Sequence, residues 1–188
     1  MPLSRPTSTL TDDELIALVT TKGSTEHFGI LYDRYANKVY RKCLSFVKNE
    51  EQAQDMVQEI FLKVFYQLSK FKGNSRFSTW LYAITYNYCV EQYRKIHKVK
   101  KVDIDDRLDV PDDDDEKELL SIRAEHLKKA LDMISPEDKM ILLMKYQDDT
   151  PIKEIMTTLE ISESAVKMRL ARARKRVREI VKEMESIL

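Results

Sequence analysis

Residues 150–178 read TPIKEIMTTLEISESAVKMRLARARKRVR, and this stretch decides how the second half of the chain folds. Thr150-Pro151 opens a short helix through Ile152, Ile155, Met156 and Leu159. After Glu160-Ile161, Ser162 caps a longer helix whose spacing turns Ala165, Val166, Leu170, Ala173, Val177 and Val181 inward. A short helix, a three- or four-residue turn and a longer helix make a helix-turn-helix. From Lys167 to Arg178 the longer helix carries seven basic residues and no acid. A coiled-coil or solvated helix mixes both signs. In a helix-turn-helix, the early residues of the second helix enter the major groove and flanking cations pair with phosphates. Ser164, Lys167, Met168 and Ala171 share the leading face by i,i+3/i+4 spacing. The unit reads as a binder of double-stranded DNA.

Working toward the N-terminus, Leu119, Leu120, Ile122, Leu127, Leu131 and Ile134 mark a helix that ends before Ser135-Pro136. Ser135-Pro136-Glu137-Asp138 starts the next, with Pro136 at the first helical position. That helix continues through Ile141, Leu142, Met144 and Lys145 to a break at Asp148-Asp149. Before this unit, residues 98–118 hold 5 basic and 10 acidic side chains, the acids all between Asp103 and Glu118. Like charges at that density repel and little apolar surface can be buried, so an extended linker is expected. Its bland reading is a solvated connector; the sharper one is a mimic of nucleic-acid charge. Extended, it reaches roughly 70 Å, about 20 base pairs of duplex.

The first 97 residues carry 13 basic and 10 acidic side chains. Thr11-Asp12-Asp13-Glu14 is a capping box before Leu15, Ile16, Leu18 and Val19, and Lys22-Gly23 ends that helix. A second helix places Phe28, Leu31, Tyr32, Tyr35, Val39, Cys43, Phe46 and Val47 at spacings of three and four. Asn49 and Gln52 cap a third, with Ala53, Met56, Val57, Ile60, Phe61, Val64 and Leu68 as its buried stripe. Its other face shows Asp55, Gln58, Glu59 and Leu62: either a solvated face or a docking face with one apolar residue in a polar ring. A loop with Gly73 and Asn74 then leads to a helix capped by Ser78 or Thr79, running through Trp80, Leu81, Ile84 and Tyr88 to Arg94-Lys95. Lys70, Lys72, Arg76 and Arg94 interleave here with Phe71, Phe77, Trp80, Tyr82, Tyr86 and Tyr93. Cations that follow phosphates and rings that stack on bases hold single-stranded nucleic acid, although the same rings also suit a core.

Composition excludes several classes. The chain has 188 residues, 32 Lys+Arg against 32 Asp+Glu, and only three Gly and five Pro, too few for a turn-rich sheet fold. No apolar run is long enough to span a membrane, and MPLSRPTSTLTDDE has no secretory apolar core, so a cytoplasmic protein is expected. Cys43 and Cys89 lack metal-ligand spacing and suit buried packing positions. His27, His97 and His126 are scattered, and Asp112–Asp115 sit consecutively on a charged linker, so neither a triad nor a metal site is read. No catalysis, metal or cofactor is expected. The expected architecture is all-α: two small helical domains, 1–97 and 119–188, joined by the acidic linker 98–118. A single-strand reader, a tether and a duplex reader on one chain suggest promoter recognition with local melting.

Three stretches carry a resemblance: Ala53 to Val64 (AQDMVQEIFLKV), Phe77 to Asn87 (FSTWLYAITYN), and Glu154 through Arg174. In this order they resemble bacterial sigma factors of the sigma-70 family, in the short extracytoplasmic-function (ECF) group that keeps only regions 2 and 4. The resemblance covers roughly residues 20–97 and 119–182. It implies that Asp55, Gln58, Glu59 and Leu62 face the clamp helices of the RNA polymerase β′ subunit. It also implies that the loop Lys72–Phe77, with Lys72, Asn74, Ser75, Arg76 and Phe77, captures an extruded base of the −10 element. Trp80, Tyr82, Tyr86, Asn87 and Arg94 would lie along the opened strand. Ser164, Lys167, Met168, Arg169, Ala171, Arg172, Arg174 and Lys175 would form the −35 contact set. The second unit would dock on the β flap, the linker would thread the RNA exit path, and an anti-sigma factor would hold the protein inactive. Three residues depart from the family pattern: Met156 stands where Ala is usual, Glu160 where a turn Gly is usual, and Met168 where Ser is common. A Glu at positive φ costs up to about 1–2 kcal/mol, and Met168 would meet a thymine methyl.

The rival reading is a stand-alone helix-turn-helix transcriptional regulator. It accounts for 119–188 but leaves Asp55–Leu62 and the Phe71–Trp80 segment without a role.

Overall fold

The computed structural model describes residues 10–97 and 124–186. The acidic linker 98–118, and Leu119, Leu120 and Ile122 of the expected helix, lie outside the described residues. All regular structure among the described residues is helical, and the chain divides into two compact units between Glu91 and Gln92.

The first unit begins with α1 (Asp12–Lys22). Its capping box is complete: the Thr11 hydroxyl accepts from the Glu14 N–H, and the Glu14 carboxylate accepts from the Thr11 N–H at 2.8 Å. Gly23 closes it at φ 63°, the left-handed region where a side chain would be strained. α2 (Thr25–Val47) and α3 (Glu50–Gln67) pack on each other, and α1 packs on α2. Asp12 pins α1 in place, accepting from Arg34 Nη1 at 2.8 Å and from the Tyr35 hydroxyl. Burial first, then that bond to a carboxylate, push the Tyr35 hydroxyl above its ordinary pKa. The Asn49 side chain accepts from the Gln52 N–H, as its spacing predicts. Every member of the expected α3 stripe, from Ala53 to Leu68, is buried.

A short 3₁₀ turn, Leu68–Lys70, and a loop lead into α4 (Phe77–His97). The helix starts before Ser78 and Thr79, so neither is its cap; the Thr79 and Trp80 N–H groups bond to the Arg76 carbonyl. Phe77 explains the earlier start. It is buried against Tyr35, Phe71 and Trp80, with ring centroids at 5.4, 5.9 and 6.0 Å, and that packing draws the first turn inward.

In the second unit, α5 (Ala124–Met133) and α6 (Pro136–Leu142) both pack on the last helix. The Ser135 hydroxyl accepts from the Asp138 N–H and Pro136 takes the first helical position, as expected. α6 widens into a π-helical turn, Leu143–Gln147, where the Asp148 N–H reaches the Leu143 carbonyl. α7 (Ile152–Leu159) and α8 (Glu163–Ser186) follow as the helix-turn-helix, and the Ser162 hydroxyl accepts from the Ala165 N–H at 3.2 Å. Ile155, Val166, Leu170, Ala173, Val177 and Val181 form the buried seam.

Glu160 closes α7 at φ 54°, ψ 42°, so the turn does require the left-handed conformation that glycine adopts freely. Glu160→Gly removes that strain at the cost of extra chain freedom when unfolded. A net gain of about 0.5–1 kcal/mol is expected, raising the melting temperature of the second unit by about 3–6 °C. Thermal melts of the full chain check this; an equal or lower midpoint would show that the turn stores no strain.

Candidate nucleic-acid interface

On α3, Asp55, Gln58, Glu59 and Leu62 are all exposed, while the opposite stripe fills the core. Leu62 is 51 % exposed. One turn further, Tyr66 is 72 % exposed. Sequence reasoning missed Tyr66, although its i,i+4 spacing from Leu62 was a usable signal. Between α2 and α3 lies a groove of about 410 Å³ lined by Tyr32, Ala36, Asn37, Tyr40, Gln54, Val57 and Gln58. Gln58 thus belongs to both the outer face and the groove.

The segment before α4 combines exposed polar and cationic residues with packed aromatic rings. Lys72, Asn74 and Arg76 are exposed, Ser75 is half-buried, and Gly73 turns the chain at φ 69°. Phe71 and Trp80 lie with ring centroids 5.4 Å apart, and Trp80 remains half-open. Phe77 was expected at the strand, but it is only 3 % exposed and serves as the hub of the packed rings. Tyr86 was also expected there and is fully buried: its ring meets Phe46 at 6.1 Å, and its hydroxyl accepts from Lys42 Nζ at 2.9 Å. The same ammonium lies over the half-buried Tyr82 ring, 4.2 Å from its centroid. Lys42 is a lysine buried against α4 that no pattern in α2 announces, because its partners lie about forty residues away. The open side of α4 runs through Trp80, Ile84, Asn87, Tyr88 and Glu91, with Arg94 one turn beyond Glu91 and half-buried.

On α8, Ser164, Lys167 and Lys175 are exposed, and Met168, Arg169, Arg172 and Arg174 are half-buried. Lys167 pairs with Glu163 at 2.7 Å one turn before it, and the Arg174 guanidinium donates to the Tyr146 hydroxyl at 3.0 Å. Arg174 is thereby turned toward the π-helical turn. Ala171 was expected among the base readers, but it is 2 % exposed and buried within the unit. Lacking reach and access, it cannot touch a base edge. Arg176 approaches the Asp138 carboxylate at 3.4 Å. Burial raises the Asp138 pKa, while the Ser135 bond and the charges of Arg176 and Arg172 act against that rise.

No cluster of three metal-ligating side chains occurs among the described residues, and no helix there is long and apolar enough to cross a membrane. The arrangement suits docking and nucleic-acid contact: an exposed acidic-apolar helix face, a cationic segment leading into packed aromatic rings, and a basic helix in a helix-turn-helix.

Residues 31–99 match the family model Sigma-70 region 2, and residues 124–177 match Sigma-70, region 4. The ECF RNA polymerase sigma-E factor of Haemophilus influenzae is 30% identical over 183 residues, covering 89% of this chain and 94% of that protein. The ECF RNA polymerase sigma factor SigX of Bacillus subtilis is 27% identical over 155 residues, covering 76% of this chain and 77% of that one. The solved structure of CnrH in complex with the cytosolic domain of CnrY shares the fold, with a TM-score of 0.62 at 21% identity over 90% of this chain and 96% of CnrH. A second structure, the sigma factor RpoE with the anti-sigma factor NepR from Bartonella quintana, gives a TM-score of 0.58 at 20% identity, over 82% of this chain and 96% of that one. The chain belongs to the sigma-70 family, in its extracytoplasmic-function group.

Proposed function

We propose that this sigma factor binds RNA polymerase core through Asp55, Gln58, Glu59 and Leu62, and directs initiation by reading two promoter elements. Lys72, Asn74, Ser75, Arg76, Trp80, Tyr82, Asn87 and Arg94 serve the opened −10 strand. Ser164, Lys167, Met168, Arg169, Arg172, Arg174 and Lys175 serve the −35 duplex, with Arg174 acting from the edge of the helix. Phe77, Tyr86 and Ala171 support these surfaces from within the fold. The domains are 1–97 for core docking and −10 capture and 119–188 for −35 reading, with 98–118 as the tether. The observation that carries the reading is the exposed Lys72 and Arg76 in the segment that leads into the packed Phe71, Phe77 and Trp80 rings, together with a helix-turn-helix on the same chain. A stand-alone duplex-binding regulator has no use for that segment. The β flap is the second docking partner, and a protein of the anti-sigma class is the expected inhibitor, as in the RpoE structure that holds one.

The duplex contact is tested by salt dependence. Phosphate neutralisation releases counterions, so the logarithm of affinity falls with the logarithm of salt concentration, by about 0.9 per contact. Lys175 is exposed and its nearest carboxylate, Glu179, lies 4.0 Å away. In holoenzyme bound to promoter duplex, Lys175→Ala is expected to lower the slope by about one contact and to weaken binding evenly across −35 sequences. An unchanged slope would remove Lys175 from the phosphate-contacting set. A sequence-dependent loss would make it a base reader.

A further inference from the structure

The chain has two cysteines, and the fold brings them together. Cys43 on α2 and Cys89 on α4 stand 46 residues apart in sequence, yet their sulfurs are 3.9 Å apart and both side chains are fully buried. The seam around them is fixed on both sides. Lys42, adjacent to Cys43, bonds to the Tyr86 hydroxyl, and the Phe46 ring, one turn on, meets the Tyr86 ring one turn before Cys89.

We infer that Cys43 and Cys89 are a modification site: a thiol pair that a hydroperoxide converts to an intramolecular disulfide joining α2 to α4. The chemistry balances with the peroxide as the sole oxidant. One cysteine sulfur attacks a peroxide oxygen, the O–O bond breaks, and the departing oxygen leaves as water with the thiol proton, giving a sulfenic acid. The second sulfur then attacks the first, the S–O bond breaks, and the hydroxyl leaves as water with the second thiol proton. Two thiols lose two electrons and two protons, and hydrogen peroxide becomes two waters. The sulfurs must close from 3.9 Å to a bond of about 2.05 Å, by side-chain rotation together with whatever approach of α2 and α4 the bridge geometry requires. Burial sets the rate: the oxidant enters only when the seam opens locally, so the reaction is slow and quickens in mild denaturant. Cross-linking two points this distant in sequence restricts the unfolded chain, so the first unit should melt about 10 °C or more higher when oxidised.

The test treats the full reduced chain with hydrogen peroxide, then denatures it, blocks remaining thiols and measures intact mass and peptides. The expected result is joint loss of both thiols at monomer mass, a peptide pair linked through Cys43 and Cys89, and a raised melting midpoint that dithiothreitol reverses. Cys43→Ala and Cys89→Ala should each abolish the peroxide-dependent shift. The peptide map of the wild-type chain decides even if those variants fold poorly. Disulfide-linked dimers, oxidation of one cysteine alone to a sulfinic acid, or both thiols intact after hours in millimolar peroxide would each overturn the inference.

Discussion

Glu59→Arg is expected to abolish co-elution of the full chain with RNA polymerase core on a sizing column, weakening binding about 100-fold or more. The side chain is exposed on α3, between exposed Asp55 and exposed Leu62, while the adjacent Ile60 and Phe61 are buried in the core. Reversing charge on such a face leaves the helix intact and, on the proposed docking, replaces an acid of the contact surface with a cation. Unfavourable juxtaposition of this kind costs several kcal/mol at a docked interface. Circular dichroism and the melting midpoint should match the wild type. Retained co-elution would move the docking surface elsewhere, to the groove around Tyr40 and Gln54 first. Loss of co-elution with a lowered midpoint would instead point to a folding defect. A wild-type chain that runs apart from core would leave two readings, a stand-alone regulator or a form that masks the docking face, and the same run with residues 1–97 alone would separate them.

The second large effect concerns Tyr86. Tyr86→Ala should destabilise the first unit by about 3–5 kcal/mol, because a fully buried ring is replaced by a cavity. The buried Lys42 ammonium also loses the hydroxyl it donates to, which adds to that cost. The melting midpoint of that unit should fall by more than about 12 °C. Asn87→Ala, one residue along the same helix but exposed, should leave the midpoint within about 2 °C and impair opening of the −10 element in holoenzyme. The contrast separates support from contact. An unchanged midpoint with impaired strand opening in Tyr86→Ala would return Tyr86 to the strand-facing set.

The two residues show why the site was only partly legible. Along α4, Tyr82 and Tyr86 stand one turn apart and share the composition of a stacking surface. Whether a tyrosine faces a base or a core depends on what packs over it, and α2 does that through Phe46 and Lys42. Phe77 repeats the lesson: its ring is claimed by Tyr35, which α2 brings in. Ala171 shows the same effect on α8, where i,i+3 spacing assigned it to the leading face and burial removed it. By contrast, the α3 face of Asp55, Glu59 and Leu62 was readable, because its opposite stripe is apolar at almost every position.

What the amino-acid order determined by itself is local. The Thr11 and Glu14 box and the Asn49, Ser135 and Ser162 caps all form between residues within one helical turn, so their energetics are written in neighbouring letters. The helical fold class and the basic helix-turn-helix follow from periodicities of the same short range. The tertiary structure alone decided which rings of α4 are covered, that Lys42 is buried between Tyr82 and Tyr86, and that Cys43 meets Cys89. Those contacts join residues forty or more positions apart. Burial of an aromatic, cationic or thiol side chain is set by the helix that arrives over it, and no local pattern encodes that arrival.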